Sequence, residues 1–235
     1  MKKGVEKRSD CIQAAFTPSL LHSFISSRTL PVPRRHRYSP PAMTAAPRIL
    51  AFAGATRTES FNKKLIRLGA EAARKAGAEV TLIDLRDFPM PLYDGDLEAA
   101  ERLPPMAREL KRLMIEHDGF FLSCPEYNSS ISSVLKNALD WVSRQQPDEP
   151  ARVAFRGKVA ALMAASPGHL GGVRGLYAVR QVLNALGTLV LATQFGLARA
   201  RAAFNEDGTL KDPAEQRIVD DVATELISTV SRLTR

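Results

Sequence analysis

Five short apolar runs, each followed by a stretch with helical spacing, constrain this chain more than any other feature. The runs are RILAFAG (48–54), EVTLIDL (79–85), GFFLS (119–123), KVAALMAA (158–165) and TLVLA (188–192). None alternates cleanly between apolar and polar residues, so each reads as a strand buried on both faces. Between them, Phe61, Leu65, Leu68, Ala72 and Ala76 fall on one helical face. So do Val134, Leu135, Ala138, Leu139 and Val142, and again Leu176, Val179, Leu183 and Leu186. Segments 106–118 and 211–233 complete the helices, the last with Asp212 at the N-cap and Pro213 at N1. Strand–helix alternation with right-handed crossovers predicts an α/β fold, a five-stranded parallel doubly wound sheet in a three-layer sandwich. The segment 86–104 reads as a long proline-bearing loop.

Such sheets bind ligands at the carboxyl ends of their strands. Chemistry is therefore expected in the loops after strands one, three and four. The first, GATRTESFN (54–62), has a single glycine and no Gly-Lys-Ser/Thr, which excludes a dinucleotide fingerprint and a P-loop. Thr56, Arg57, Thr58, Ser60 and Asn62 before a helix instead suit a terminal phosphate monoester held by free amides, hydroxyls and a guanidinium. Ser60 as a plain helix cap is the competing reading.

The loop after strand three opens with Cys124 and Pro125, and the proline stops the strand. Tyr127 offers a flat face and Asn128 tolerates a left-handed turn. A planar heterocycle lying on this loop, or a helix-capping turn with an exposed tyrosine, fits equally. The loop after strand four, SPGHLGG (166–172), carries three glycines that permit close backbone approach to a ligand. His169 has no companion ligands, so no metal site is expected. Cys124 lacks a following arginine and reads as a small packing residue rather than a nucleophile.

Charge decides against nucleic acid. The chain of 235 residues carries a net +8. Residues 1–42 hold eight Lys/Arg and two acids, for +6. The remaining 25 basic and 23 acidic residues leave the body at +2, nearly balanced. The basicity belongs to a Ser-, Arg- and Pro-rich N-terminal segment, and residues 1–47 are expected to be a disordered extension or upstream sequence before a start at Met43. Its apolar run, SLLHSFI, is too short to cross a bilayer, and a transit peptide fits only loosely. Cys11 and Cys124 form no framework, which points to a reducing compartment and a cytoplasmic protein without membrane contact.

Taken in order, GATRTESFN, PEYNSSISSVLKNALDW and SPGHLGGVRG resemble the NADPH-dependent FMN reductase family, the flavodoxin-like group that includes quinone, chromate and azo reductases. The resemblance covers the chain from Arg48 onward. It implies a flavodoxin-like domain over 48–235 that passes hydride from NADPH or NADH, through bound FMN, to a small-molecule acceptor. A non-catalytic flavin carrier is the alternative. The FMN phosphate would fall on Thr56, Arg57, Ser60 and Asn62. Pro125, Glu126, Tyr127 and Asn128 would lie along the ring, and Ser166, Gly168, Gly171 and Gly172 would close the far side. A homodimer or homotetramer is implied too. No protein acid or base is required, because the cofactor carries the chemistry.

The chain departs from the family pattern at four places. Ala55 replaces a serine, and Ser129, Ser132 and Ser133 replace Gly, Pro and Gly. A serine at 129 argues against a positive φ there, and the lost proline predicts a looser turn. Met90–Tyr93 is expected to be a surface connection, with a wall of the cleft as the other reading.

Overall fold

The computed structural model describes residues 45–147 and 149–233. The expected N-terminal extension, Cys11 and Met43 lie outside them. The core sheet contains β1 (Arg48–Ala53), β2 (Glu79–Asp84), β3 (Gly119–Ser123), β6 (Val159–Ala165) and β7 (Leu189–Leu197). A two-stranded hairpin, β4 (Glu126–Tyr127) and β5 (Ser130–Ile131), sits outside it. The helices are α1 (Phe61–Lys75), α2 (Gly95–Glu101), α3 (Pro105–Glu116), α4 (Ser133–Val142), α5 (Val173–Leu186), α6 (Ala200–Ala203) and α7 (Pro213–Leu233).

The sheet order is β2-β1-β3-β6-β7, all parallel. Leaving out the hairpin, this is the flavodoxin order 2-1-3-4-5, with its switch point between β1 and β3. The three central strands are buried along almost their whole length, as runs without alternation require. One apolar core lies between the sheet and α1 with α7, built on Ile49, Leu65, Phe121, Val222 and Leu226. The other joins the sheet to α3, α4 and α5 through Phe52, Leu110, Phe120, Leu139 and Leu183. No helix among the described residues is long and apolar enough to cross a membrane.

Three expectations need correction. The fifth strand runs to Leu197, five residues past its expected end. Thr193, Gln194 and Gly196 look like loop residues. Yet two steps along β6, from Ala160 to Leu162, match four along β7, from Val190 to Gln194. This irregularity is held by Arg180 of α5, which donates to the carbonyls of Val190 (3.1 Å) and Leu191 (2.6 Å) and to Gln194 Oε1 (2.9 Å). A bulge satisfied from another helix leaves no local pattern to read.

Segment 86–104 is not a loop throughout, although Met90–Tyr93 within it is a connection at the surface, with Leu92 exposed, and does not line the cleft. It contains α2 and packs on α4. Trp141, fully buried, donates Nε1–H to the Pro91 carbonyl at 2.8 Å, and Tyr93 meets the Trp141 ring edge-on at 5.0 Å. Asn137 joins them, accepting from the Tyr93 amide and donating to Pro91.

The third correction concerns the serines. The chain reverses between β4 and β5 through Asn128 (φ 51°) and Ser129 (φ 64°). Two positive φ values in a two-residue loop make a type I′ turn, which matches the strand twist. Serine therefore holds the left-handed conformation that glycine would adopt without a Cβ penalty. Ser129→Gly is expected to raise the unfolding free energy by about 0.5–1 kcal/mol. Denaturant midpoints check this, and a lowered midpoint would contradict the strain assigned to Ser129. The turn is not loosened at Ser132 either. That residue is fully buried, caps α4 by accepting from the Leu135 amide (3.4 Å), and donates to the Gly54 carbonyl at 2.6 Å. Its hydroxyl thus ties the first loop to the third strand's helix.

Candidate functional site

The loops after β1, β3 and β6 emerge side by side because their strands are neighbours in the sheet. They surround a cleft of about 250 Å³. Arg57, Ser60, Phe61 and Asn62 line it from the α1 end, and Pro125, Glu126 and Tyr127 from the hairpin. Ala165, Ser166 and Pro167 line it from the end of β6, and Arg201 from α6. A groove of about 850 Å³ along α3 and the segment after α4 is larger. It contains no predicted site residue, and its Arg112 pairs with Glu109 and Glu116 and its Lys111 with Glu149.

The first loop is oriented from behind. The Thr56 carbonyl accepts from Lys63 Nζ (3.2 Å), Arg86 Nε (2.9 Å) and Arg86 Nη2 (2.5 Å). Lys63, almost fully buried, also pairs with Asp84, whose other oxygen accepts from the Arg86 amide. Partial burial pushes the Asp84 carboxyl up, but the bonds and charges of Lys63 and Arg86 outweigh it and hold the group below the ordinary range. No cis peptide occurs among the described residues. In a trans peptide N–H and C=O point opposite ways, so pulling the Thr56 carbonyl toward Lys63 and Arg86 turns the Arg57 N–H the other way. Ser60 takes the N-cap position of α1, yet its side chain makes no cap bond. Ser60 therefore holds the cap position without capping through its hydroxyl, and the first amides of α1 keep the orphan donors of a helix start.

Asn62 is more occupied than its predicted role suggests. Its Oδ1 accepts from the Ala165 amide (2.9 Å) and the Ser123 hydroxyl (3.0 Å), and its Nδ2 donates to the Ala165 carbonyl (2.9 Å). One Nδ2 hydrogen remains. Glu126 is likewise engaged. Its carboxylate accepts from the amides of Arg174 and Gly175 at the start of α5 and from Arg174 Nε (2.7 Å). Burial pushes Glu126 up, but Arg174 and the two amides together hold it below the ordinary carboxylate range. The hairpin is thereby docked on α5.

Pro125, Tyr127 and Ser166 face the cleft as expected. Thr56, Asn128, Gly168, Gly171 and Gly172 do not line it. Thr56 serves through its carbonyl, and Asn128 forms the turn. Gly168 bridges the Ser166 hydroxyl and the Arg199 amide. Gly171 (φ 62°) lies against the Gly196 backbone, and Gly172 (φ 88°) leads into α5. These glycines shape the loop. Cys124 is fully buried at the strand end, and burial pushes its thiol up, as a packing residue requires.

Arg201 went unread in the sequence. With the fifth strand ended at 192, no loop expected to carry chemistry includes it. With β7 reaching Leu197, its following residues arrive at the same carboxyl edge as the other loops. Phe61 stacks on Phe204 with ring centroids 6.2 Å apart and planes 4° from parallel, joining the α1 start to the end of α6. Arg57 lies over the Phe61 ring at 5.7 Å. Neither Arg57 nor Arg201 forms an ion pair with any described residue.

Comparison with known proteins agrees with this architecture. Residues 47–202 match the family described as NADPH-dependent FMN reductase. An NAD(P)H-dependent FMN reductase of Pseudomonas aeruginosa is 33% identical over 181 residues, 77% of this chain and 89% of that protein. A quinone reductase of Escherichia coli (strain K12) is 34% identical over 143 residues, 61% of this chain and 72% of its own. Among solved structures, FerB, a flavoenzyme NAD(P)H:(acceptor) oxidoreductase from Paracoccus denitrificans, shares the fold with a TM-score of 0.68. Its identity is 23% over 80% of this chain and 98% of that one. The chain therefore belongs to the NADPH-dependent FMN reductase family, as an NAD(P)H-dependent oxidoreductase of flavodoxin-like fold that works through FMN.

Proposed function

We propose that the cleft between the three strand-end loops seats FMN, its phosphate at the start of α1 and its ring along Pro125–Tyr127, and that the electron acceptor is a quinone or similar small oxidant. The observation that carries this reading is the donor set at one end of the cleft. Arg57 without a carboxylate partner and Ser60, whose hydroxyl makes no cap bond, line the cleft together with the first residues of α1. Unsatisfied donors beside a helix N-terminus suit a phosphate dianion. The chemistry of the residues thus fits the cofactor.

When bound, FMN supplies the hydride transfer that no side chain here performs. Ser60, the α1 amides and Arg57 would bind the phosphate, and the Lys63–Arg86 grip on Thr56 would keep the Arg57 amide turned for it. Pro125, without an N–H, and Tyr127 would give the ring a flat wall. The hairpin that carries them is fixed by Glu126 on α5 rather than left mobile. Asn62 and the glycines at 171 and 172 hold the loops in register.

A cleft of 250 Å³ is smaller than most sites that enclose a whole ligand. Tyr127 of the hairpin, Leu170 of the loop before α5 and Tyr177 of α5 stand more than half exposed. Both facts support a homodimer or homotetramer in which a second subunit covers the flavin's outer edge. The acceptor class follows the quinone reductase named among the relatives. Cytoplasmic residence is supported by the free, buried Cys124.

Titration of the purified protein with FMN under anaerobic conditions, followed by NADPH and a quinone, tests the reading. Expected are quenched flavin fluorescence, bleaching by NADPH and steady-state turnover with the quinone. A protein that leaves added FMN fully fluorescent refutes the seat. One that binds FMN but turns over only with a separate reductase is a carrier.

A further inference from the structure

We propose that Arg201 is a second charged grip on the cofactor phosphate and makes the cleft selective for FMN over unphosphorylated riboflavin. This rests on the FMN seat described above and adds to it a residue from a different part of the chain.

The placement comes from aromatic stacking. Arg57 lies over the Phe61 ring, and Phe61 stacks on Phe204. Arg201 lies in α6, and Phe204 is the residue that ends that helix. The Phe61–Phe204 stack therefore joins the two elements that carry these arginines. Both line the cleft. The element carrying Arg201 is anchored to the glycine-rich loop, since the Ala200 amide donates to the Ser166 carbonyl and the Arg199 amide to the Gly168 carbonyl, each at 3.0 Å. Arg199 adopts φ 49°, so the turn that delivers Arg201 has a set conformation.

Charge completes the argument. Two cations lining one small cleft repel each other unless an anion lies between them. Glu126 is the carboxylate lining the cleft, and it is held by Arg174 and two amides. Arg57 and Arg201 have no carboxylate partner among the described residues. A phosphate monoester, carrying close to two negative charges at neutral pH with three acceptor oxygens, answers both guanidinium groups at once. Riboflavin, with a neutral ribityl end, answers neither. Arg201 is exposed and bonded to no other side chain, so its replacement does not threaten the fold.

The test compares FMN and riboflavin binding by fluorescence titration in the wild-type protein, Arg201→Gln and Arg201→Lys. Loss of a charge-assisted contact is expected to weaken FMN by about tenfold to a hundredfold in Arg201→Gln. Riboflavin affinity should change by less than about twofold, since it has no phosphate to lose. Arg201→Lys should recover part of the loss, keeping the charge without the planar fork. The salt dependence of FMN binding should be shallower in Arg201→Gln than in the wild type. Equal weakening of both flavins, or no weakening of FMN, overturns the role of Arg201 while leaving the flavin seat intact. A wild-type protein that binds neither flavin overturns the seat, and this inference with it.

Discussion

Asn62→Ala is expected to lower the unfolding free energy by about 3–4 kcal/mol, a large loss for one side chain. The reason lies where β3 ends. The Cys124 amide still donates to the Met163 carbonyl, as a parallel ladder requires. Then Pro125 turns the chain away, and no strand remains beside Ala165 on the β3 side, although β7 still pairs with it on the other. Asn62 reaches across from α1 and takes over, its amide accepting from and donating to Ala165 as a strand residue would. The same oxygen accepts from Ser123. Asn62 is 3% exposed, so water does not replace what the alanine removes. Three buried groups would lose their partner, each at about 1 kcal/mol or more. Urea denaturation of the wild type and variant measures the difference. A loss under about 1 kcal/mol would show that the Ala165 groups find other partners. FMN affinity should fall as well, because the α1 start and the end of β6 are both cleft walls.

Gly171→Ala should be nearly as damaging, at about 2–4 kcal/mol. A Cβ there would lie 2.4 Å from the Gly196 carbonyl oxygen and 2.5 Å from its carbon. Those are backbone atoms of β7, which pairs with β6, so they cannot swing aside as a side chain tip would. Gly171 also has φ 62°. Gly208 separates the two causes, since it has φ 87° and nothing within 4 Å of its would-be Cβ. Gly208→Ala is therefore expected to cost only the left-handed conformation, about 1 kcal/mol. Similar losses at both positions would mean that the 166–172 loop moves freely away from β7. A much larger loss at Gly171, with impaired FMN binding, is the expected result.

The parts of the fold that were legible are those with a local pattern. Ile49–Ala53, Phe120–Leu122 and Val159–Ala165 are continuous apolar runs because both faces of each strand are covered. α1 and α5 show their spacing because each buries one stripe. The grouping of Arg57, Ser60, Pro125, Tyr127 and Ser166 was readable from strand order, since parallel crossovers put every strand's carboxyl end on one edge. What was not legible lacks a period or depends on a distant partner. Two-residue strands such as β4 and β5 have no alternation to detect. Ser129 holds a positive φ because the hairpin, clamped to α5 by Glu126, dictates its turn.

The sequence by itself determined the class of fold and the ligand edge, because burial on two faces and helical stripes are written in neighbouring residues. Only the tertiary structure decided which polar groups are free to meet a ligand. Asn62 and Glu126 look available in the sequence but are bound to Ala165 and to α5, whereas Arg201, outside the loops expected to carry chemistry, stands unpaired beside the cleft. A side chain's availability depends on what folds against it, and its partners here lie 103 and 48 residues away.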